Sequence, residues 1–431
     1  MTWADDYYAA TNDVTVANLG VSWTYYIKKF LDTQRNAVVM STLGQPTPLP
    51  RGEGKTVQWH RYCKLAASVS GSHLTESVNP DATTFTMQAL TASMEEFGAF
   101  AKLSTMLSMT SLDKSGEGVA DMFGKHAAEV MDLLLHQEVA ANSGRILRAD
   151  IDATKTFKGT VDAGSTSTTM VDAALTSNTN YGDANDDLNQ SIVTMLTGTS
   201  AGQSRPVTDY VASSGTCTVS PAWDVTPVAG DTYEVTSLDG IVSGDDISYE
   251  NLLRGHTLLE EQGAEPDNHG FFTAVVGPWE AEAIATDTHW VNINTYQQGA
   301  KGIYKNELGR LAGFRFLRET VPFRCPITTI GTAGSSYGIG ANDIANSAYT
   351  NYSSSGGVTV IPLMGRNAFG ITTFANKGLR DTPQLRMTTP GPHSTDQPLK
   401  RFSTMGWQQP AIAKGLEPRH CINLVVFNTA A

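Results

Sequence analysis

Residues 116–142 read GEGVADMFGKHAAEVMDLLLHQEVAAN. They hold helix formers and no proline. Val119, Phe123, Val130, Met131, Leu134 and Val139 recur near the helical period, with Lys125, Glu129, Asp132 and Gln137 between them. Gly144 supplies a stop signal. At 1.5 Å per residue the helix spans roughly 40 Å. A helix of that length crosses a whole domain and needs sheets laid against it.

The bulk numbers frame what surrounds it. The chain has 431 residues, 40% hydrophobic and only 17% charged, with a net charge of -13. That length allows two or three domains with sizeable cores. So acidic a body is poorly suited to wrapping nucleic acid, which needs Lys and Arg to displace counterions. Cys63, Cys217, Cys325 and Cys421 form no CxxC, a pattern of buried reduced thiols rather than a disulfide framework. The opening MTWADDYYAATND is acidic and polar, unlike a signal peptide, and no apolar run is long enough to span a bilayer. The expectation is a protein made in the cytosol. Its start at Met1 hints that no N-terminal propeptide is removed.

Residues 1–50 carry little regular signal beyond a short helix at 25–31. GQPTPLP at 44–50 reads as an extended arm that must lie on this chain or on a neighbour. Residues 55–65 alternate, with Val57, Trp59, Arg61 and Cys63 on one face and Gln58, His60, Tyr62 and Lys64 on the other. Residues 83–90 alternate again through Phe85, Met87 and Ala89. With the polar stretch 66–82 as a tip, they predict a long two-stranded ribbon. Such a ribbon is barely stable alone, so it needs a surface, and its length argues for one on another subunit.

Residues 93–104 lead through a polar link into the long helix. Residues 155–240 are rich in Thr, Ser, Gly and Asp and hold a net −7 of the total charge, so charge and composition break together at an inserted β module. Helical pattern returns at 247–262, with a stop at Gly263. A buried strand follows at 271–276, then a helix opened by Pro278. Residues 309–320 and 358–374 read as strands, 331–357 as a Gly/Ser/Asn-rich loop, and CINLVVF at 421–427 as a closing strand. Two helix-and-strand regions around an insertion imply an α+β body.

No catalytic constellation emerges. GEGKT at 52–56 lacks the upstream glycine of a phosphate loop and is followed by a strand. GTSAG at 198–202 matches a nucleophile elbow at Ser200, but a Thr/Ser-rich β region follows where the elbow needs a helix. The nine histidines show no zinc spacing; His126 and His136 share the long helix ten residues apart. No catalytic, cofactor-binding or metal-binding residue is assigned, and the chain reads as a non-enzyme.

Several strings, in order, carry a family likeness. GKTVQWHRY at 54–62, LTESVNP at 74–80, MEEFGAFAKLS at 94–104, GRLAGFRFLRET at 309–320, VTVIPLMGRNAFG at 358–370 and PGPHSTDQPLKRFSTMGW at 390–407 resemble major capsid proteins of tailed double-stranded DNA bacteriophages, the Hong-Kong-97-type fold, and within it the branch akin to N-four-like phages. LTGTSAGQSRPVTDY at 196–210 is similar to small β modules of phage virion proteins. The resemblance implies an N-terminal arm at 1–50 reaching a neighbour, a ribbon or E-loop at 51–92, a return strand at 94–104 within a peripheral domain with the spine helix at 93–154, an inserted β-rich domain at 155–240, an axial domain at 241–361 and closing strands at 362–431. It implies self-assembly into pentamers and hexamers of an icosahedral shell in the virion, formed in the host bacterial cytoplasm. Implied partners are portal and scaffolding proteins, a possible decoration protein and packaged DNA bound without sequence specificity, with no membrane and no cofactor. Trp59, Arg61, Tyr62, His73, Glu76, Phe85 and Met87 are then the candidate contacts between subunits.

Three other readings compete. An encapsulin-like nanocompartment shell shares the fold and would hold cargo protein instead of DNA. A β-rich surface adhesin would suit the insertion but lacks a signal peptide. A hydrolase would use Ser200.

Overall fold

A computed structural model of the chain describes residues 29–31, 33, 39–49, 54–62, 73–74, 76, 87–104, 115–150, 155–177, 185–189, 191–238, 241, 244–290, 307–319, 324–326, 357–374, 384–388 and 402–428. The helix expected at 25–31 and the loop at 331–357 fall largely outside them.

The long helix, α1, runs Ser115–Ala141. Its buried stripe is Ala120, Phe123, Ala127, Met131, Leu135 and Val139. It touches three cores in succession. Ala120, Phe123, Ala127 and Met131 pack on Leu385, Met405 and Trp407. Leu135 and Val139 join Met40, Val275, Leu317 and Phe369. Ala140 meets Ile146, Ile192, Val425 and Phe427. The helix α1 is the element that these three cores share.

The first sheet has five strands centred on Phe402–Gly415. Glu95–Ser104 pairs antiparallel with it from Phe402↔Ser104 to Ala411↔Glu95. Gln384–Thr388 and Phe369–Phe374 are also antiparallel to it. Gln45–Leu49 adds a parallel edge along Phe369–Phe374. That edge position admits Pro46 and Pro48, which cannot donate to a ladder. Of the two surfaces open to the extended stretch 44–50, this chain or a neighbour, residues 45–49 take the chain's own body, and the return strand implied at 94–104 is a ten-residue strand, Glu95–Ser104.

The second sheet is mixed, ordered Glu307–Leu311, Phe314–Arg318, Phe272–Val276, Gly357–Met364, Cys421–Asn428 and Arg145–Arg148, with Arg324–Pro326 also on Gly357–Met364. Helices α2, Tyr249–Gln262, and α3, Pro278–Thr286, add to its core. Ser248 caps α2 by accepting the Asn251 N–H, and Gly263 ends it in the left-handed conformation. The strand expected over 309–320 is a hairpin instead, because Ala312 and Gly313 both have positive φ and turn the chain sharply.

The strand expected over 358–374 divides between the two sheets, and the chain crosses between them again just before the closing strand Cys421–Asn428. Gly357–Met364 and Cys421–Asn428 pair in the mixed sheet, while Phe369–Phe374 and Phe402–Gly415 pair in the five-stranded one. The two crossings run side by side, tied by Gly365 N–H to His420 O at 2.7 Å and Leu416 N–H to Ala368 O at 2.9 Å.

The third sheet takes all six strands from between Thr156 and Thr236. Its core, including Met170, Leu188, Val207, Tyr210, Cys217 and Tyr233, is its own. Its first and last strands are neighbours, and Ser237 N–H donates to Lys155 O at 2.9 Å. The module rests on the mixed sheet's Arg145–Arg148 strand. Arg145 pairs with Glu234 at 3.2 Å, and the buried Arg148 guanidinium donates to Ser237 O at 2.6 Å while gripping Asp150 with two further nitrogens.

Candidate functional site

The ribbon carries the expected contact residues. Thr56–Tyr62 pairs antiparallel with Met87–Ser93, from Thr56↔Ser93 to Tyr62↔Met87. Period-2 alternation gives two unlike faces. Val57, Trp59 and Leu90 lie inward, in one core with Leu49, Ile412 and Leu416. Thr56, Gln58, His60, Met87, Ala89 and Thr91 lie exposed on the other side.

Trp59 therefore packs on this chain's own body. It is 7% exposed, and its indole N–H donates to Thr47 Oγ1 at 2.9 Å on the edge strand. Gly370 lets the ring approach: a Cβ there would sit 3.1 Å from the indole. Arg61 is half-buried and forms a long ion pair with Glu417 at 3.8 Å. His73 and Glu76 are exposed, and Met87 is 49% exposed. The side chains of Tyr62 and Phe85 lie outside the described residues. Trp59 fixes the described strands of the ribbon to the body, and among the described residues their other face is exposed.

Further apolar groups face outward: Leu74, between the two ribbon strands in sequence (68% exposed), and Phe100 (70%). Phe100 lies on the face of the five-stranded sheet away from α1, because Phe97, Ala99 and Ala101 take the alternate positions against the helix. Its period-2 position on the strand marks it, though it is not among the contact residues expected from the sequence.

The motif-like strings have structural roles. GTSAG is a glycine turn followed by the strand Ser204–Val211. Ser200 is buried and its hydroxyl donates to Asp231 Oδ2 at 2.8 Å, so it is not presented as a nucleophile. Asp231 also accepts the Val228 N–H. GEGKT leads into the ribbon strand, with Lys55 O accepting the Met94 N–H. His126 Nδ1 accepts the Trp407 indole N–H at 3.1 Å, joining α1 to the sheet. Among the described residues no group of three or more His, Cys, Asp or Glu could hold a metal, and no helix is long and apolar enough to cross a membrane. Cys217 and Cys421 are free and buried. Burial raises both thiols, Cys421 to about 12, well away from reactive thiolates.

One buried polar cluster was not foreseen. Asp132 and His136, one helical turn apart on α1, meet Glu319 at the end of Phe314–Arg318. His136 Nε2 lies 2.5 Å from Glu319 Oε2. Asp132 accepts the N–H groups of Val39 and Met40 at 3.1 and 3.2 Å. Burial and then the Glu319 carboxylate raise Asp132 to about 8. For His136, burial acts downward, but the charge and hydrogen bond of Glu319, helped by Asp132, outweigh it and leave the imidazole raised.

No protein-family model matches the chain, and no curated protein matches it. Among solved structures it is similar to the capsid of Ralstonia phage GP4, at 13% identity and a TM-score of 0.48 over 90% of this chain and 87% of that one. It is also similar to the capsid of Cyanophage P-SCSP1u, at 12% and 0.44 over 91% and 89%. A third is the Cyanophage Pam1 capsid asymmetric unit, at 13% and 0.44 over 89% of each chain.

Proposed function

We propose that this chain is a phage major capsid protein of the Hong-Kong-97 type, which builds an icosahedral shell from copies of itself. The observation that carries this reading is the two-faced ribbon. Its inner face is locked to the body by Trp59, while its outer face and tip hold Met87 and Leu74 in water. A polypeptide gains nothing by holding such a ribbon rigidly in solvent, whereas a neighbouring copy would cover it. Specific interfaces usually bury more than about 1,000 Å², and an overlapping ribbon supplies area of that order. The ordered strings from GKTVQWHRY to PGPHSTDQPLKRFSTMGW support the same class, and their likeness to N-four-like phage proteins supports the finer branch.

On this reading the five-stranded sheet with α1 is the peripheral part, the mixed sheet with α2 and α3 the axial part, and 155–240 an inserted domain. His73, Glu76 and Met87 are the partner-facing residues of the ribbon. The acidic body leaves packaged DNA free to move in and out, since it offers few cations to phosphate. Portal, scaffolding and decoration proteins are the expected companions.

Negative-stain imaging of the protein expressed alone tests the class. Uniform hollow shells are expected, and a monomer at high concentration refutes the reading. Replacing residues 68–82 with a short turn should leave capsomers or aggregates in place of shells; normal shells would remove the ribbon from its assigned role.

A further inference from the structure

The N-terminal segment reaches the body at a place with unusual chemistry. The turn Met40–Thr42 has no charged side chain of its own; what fixes it is Asp132, whose two oxygens separately accept the Val39 and Met40 N–H groups. Behind Asp132 stands Glu319, itself tied by its N–H to Val276 O at 2.9 Å in the mixed sheet. Glu319 Oε2 faces His136, and its Oε1 is buried with no hydrogen-bond partner among the described residues. The walls around these groups are apolar, from Val39, Leu135, Val275 and Leu317, with the Cys421 thiol in the same core. Two carboxylates, one imidazole and two amide donors thus share a dry junction between three elements.

We propose that Asp132, His136 and Glu319 form a proton-operated latch on the segment 39–49, closed while Asp132 holds a proton and released when that proton leaves to solvent. With the proton present, Glu319 and His136 make a neutral ion pair and Asp132 is uncharged, so the junction has no net charge. Without it, two carboxylates face one imidazolium in a medium of low dielectric. The amide donors favour the Asp132 anion, but burial and the Glu319 charge oppose it more strongly. Lifting the segment away lets water reach the carboxylates and relieves the conflict.

The direction of the pH effect follows from linkage. Asp132 is raised from 3.8 to about 8 in the closed state. The closed state therefore binds the proton that the open state gives up, and closure weakens as pH rises from about 4 to about 8. His136, raised above 6.5, acts in the same sense, losing its contribution as pH climbs through its closed-state value. The Cys421 thiol, at about 12, stays protonated throughout. The latch holds in mild acid and loosens in mild alkali.

Hydrogen exchange of the full chain, followed by mass spectrometry from pH 6 to 9 and corrected for intrinsic rates, tests this. Protection of peptides covering residues 39–49, relative to α2, should fall roughly tenfold to a hundredfold across that range. Constant relative protection would overturn the latch. Asp132→Asn, which keeps a carbonyl acceptor and removes the titration, should abolish most of the fall; an unchanged profile would refute the role of Asp132. Should that variant misfold, Glu319→Gln replaces it. Removing the neighbouring charge should move the release midpoint to lower pH, and a midpoint that stays in place counts against the proposal.

Discussion

The six-stranded module and the five-stranded sheet are β-structures built by opposite routes. The module pairs strands drawn from one continuous stretch, its most distant partners being Thr156 and Thr236. The five-stranded sheet joins Gln45 to Gly370 and Ser104 to Phe402, so its strands come from both halves of the chain. Closing long loops costs entropy before the contacts repay it. The module should therefore form early and by itself, whereas the sheet that seats the ribbon waits for the last part of the chain. Stability should differ accordingly: one core is sealed locally, the other depends on a few long-range anchors.

Trp59→Ala should give the largest effect. Removing this buried indole should cost about 3–5 kcal/mol and lower protection in Gln45–Leu49 and the ribbon while the module's amides stay protected. Equal loss in both regions, read by hydrogen exchange, would erase the distinction. Ser200→Ala attacks the other side. It takes one hydrogen bond from buried Asp231, so about 1–3 kcal/mol should be lost within Thr156–Thr236, with the ribbon unaffected. Its failure to lower the module's denaturation midpoint would show that the Ser200–Asp231 bond does not hold the glycine turn. Ser248→Ala is the smallest change. Loss of the α2 cap should cost about 1 kcal/mol, seen as fraying of the first turn of α2 and sparing both β regions.

How much of this could be read in advance depended on where each partner lay. The long helix was legible almost to its ends, because an amphipathic stripe is written within a few turns: 116–142 against the observed Ser115–Ala141. The α2 helix was legible too, through Gly263. The ribbon's first strand was evident from alternation, but its inward face was assigned to a neighbour. Nothing in residues 55–65 announces that Leu49, Ile412 and Leu416 will meet Trp59. Glu95–Ser104 was legible only through the likeness of MEEFGAFAKLS to a return strand, since two adjacent glutamates and a glycine weaken its own strand signal and its partner lies across the chain. The Asp132–His136 pair has visible helical spacing, yet its meaning needs Glu319, 183 residues beyond His136.

The neighbouring ends of the six-stranded module carry a practical consequence. Where Lys155 and Ser237 meet through a backbone hydrogen bond, the polypeptide leaves the body and returns to nearly the same point. A foreign sequence with closely spaced termini, spliced between those two positions, would ask the scaffold to span no new gap. This is where a foreign domain can be grafted with least disturbance to the rest of the fold.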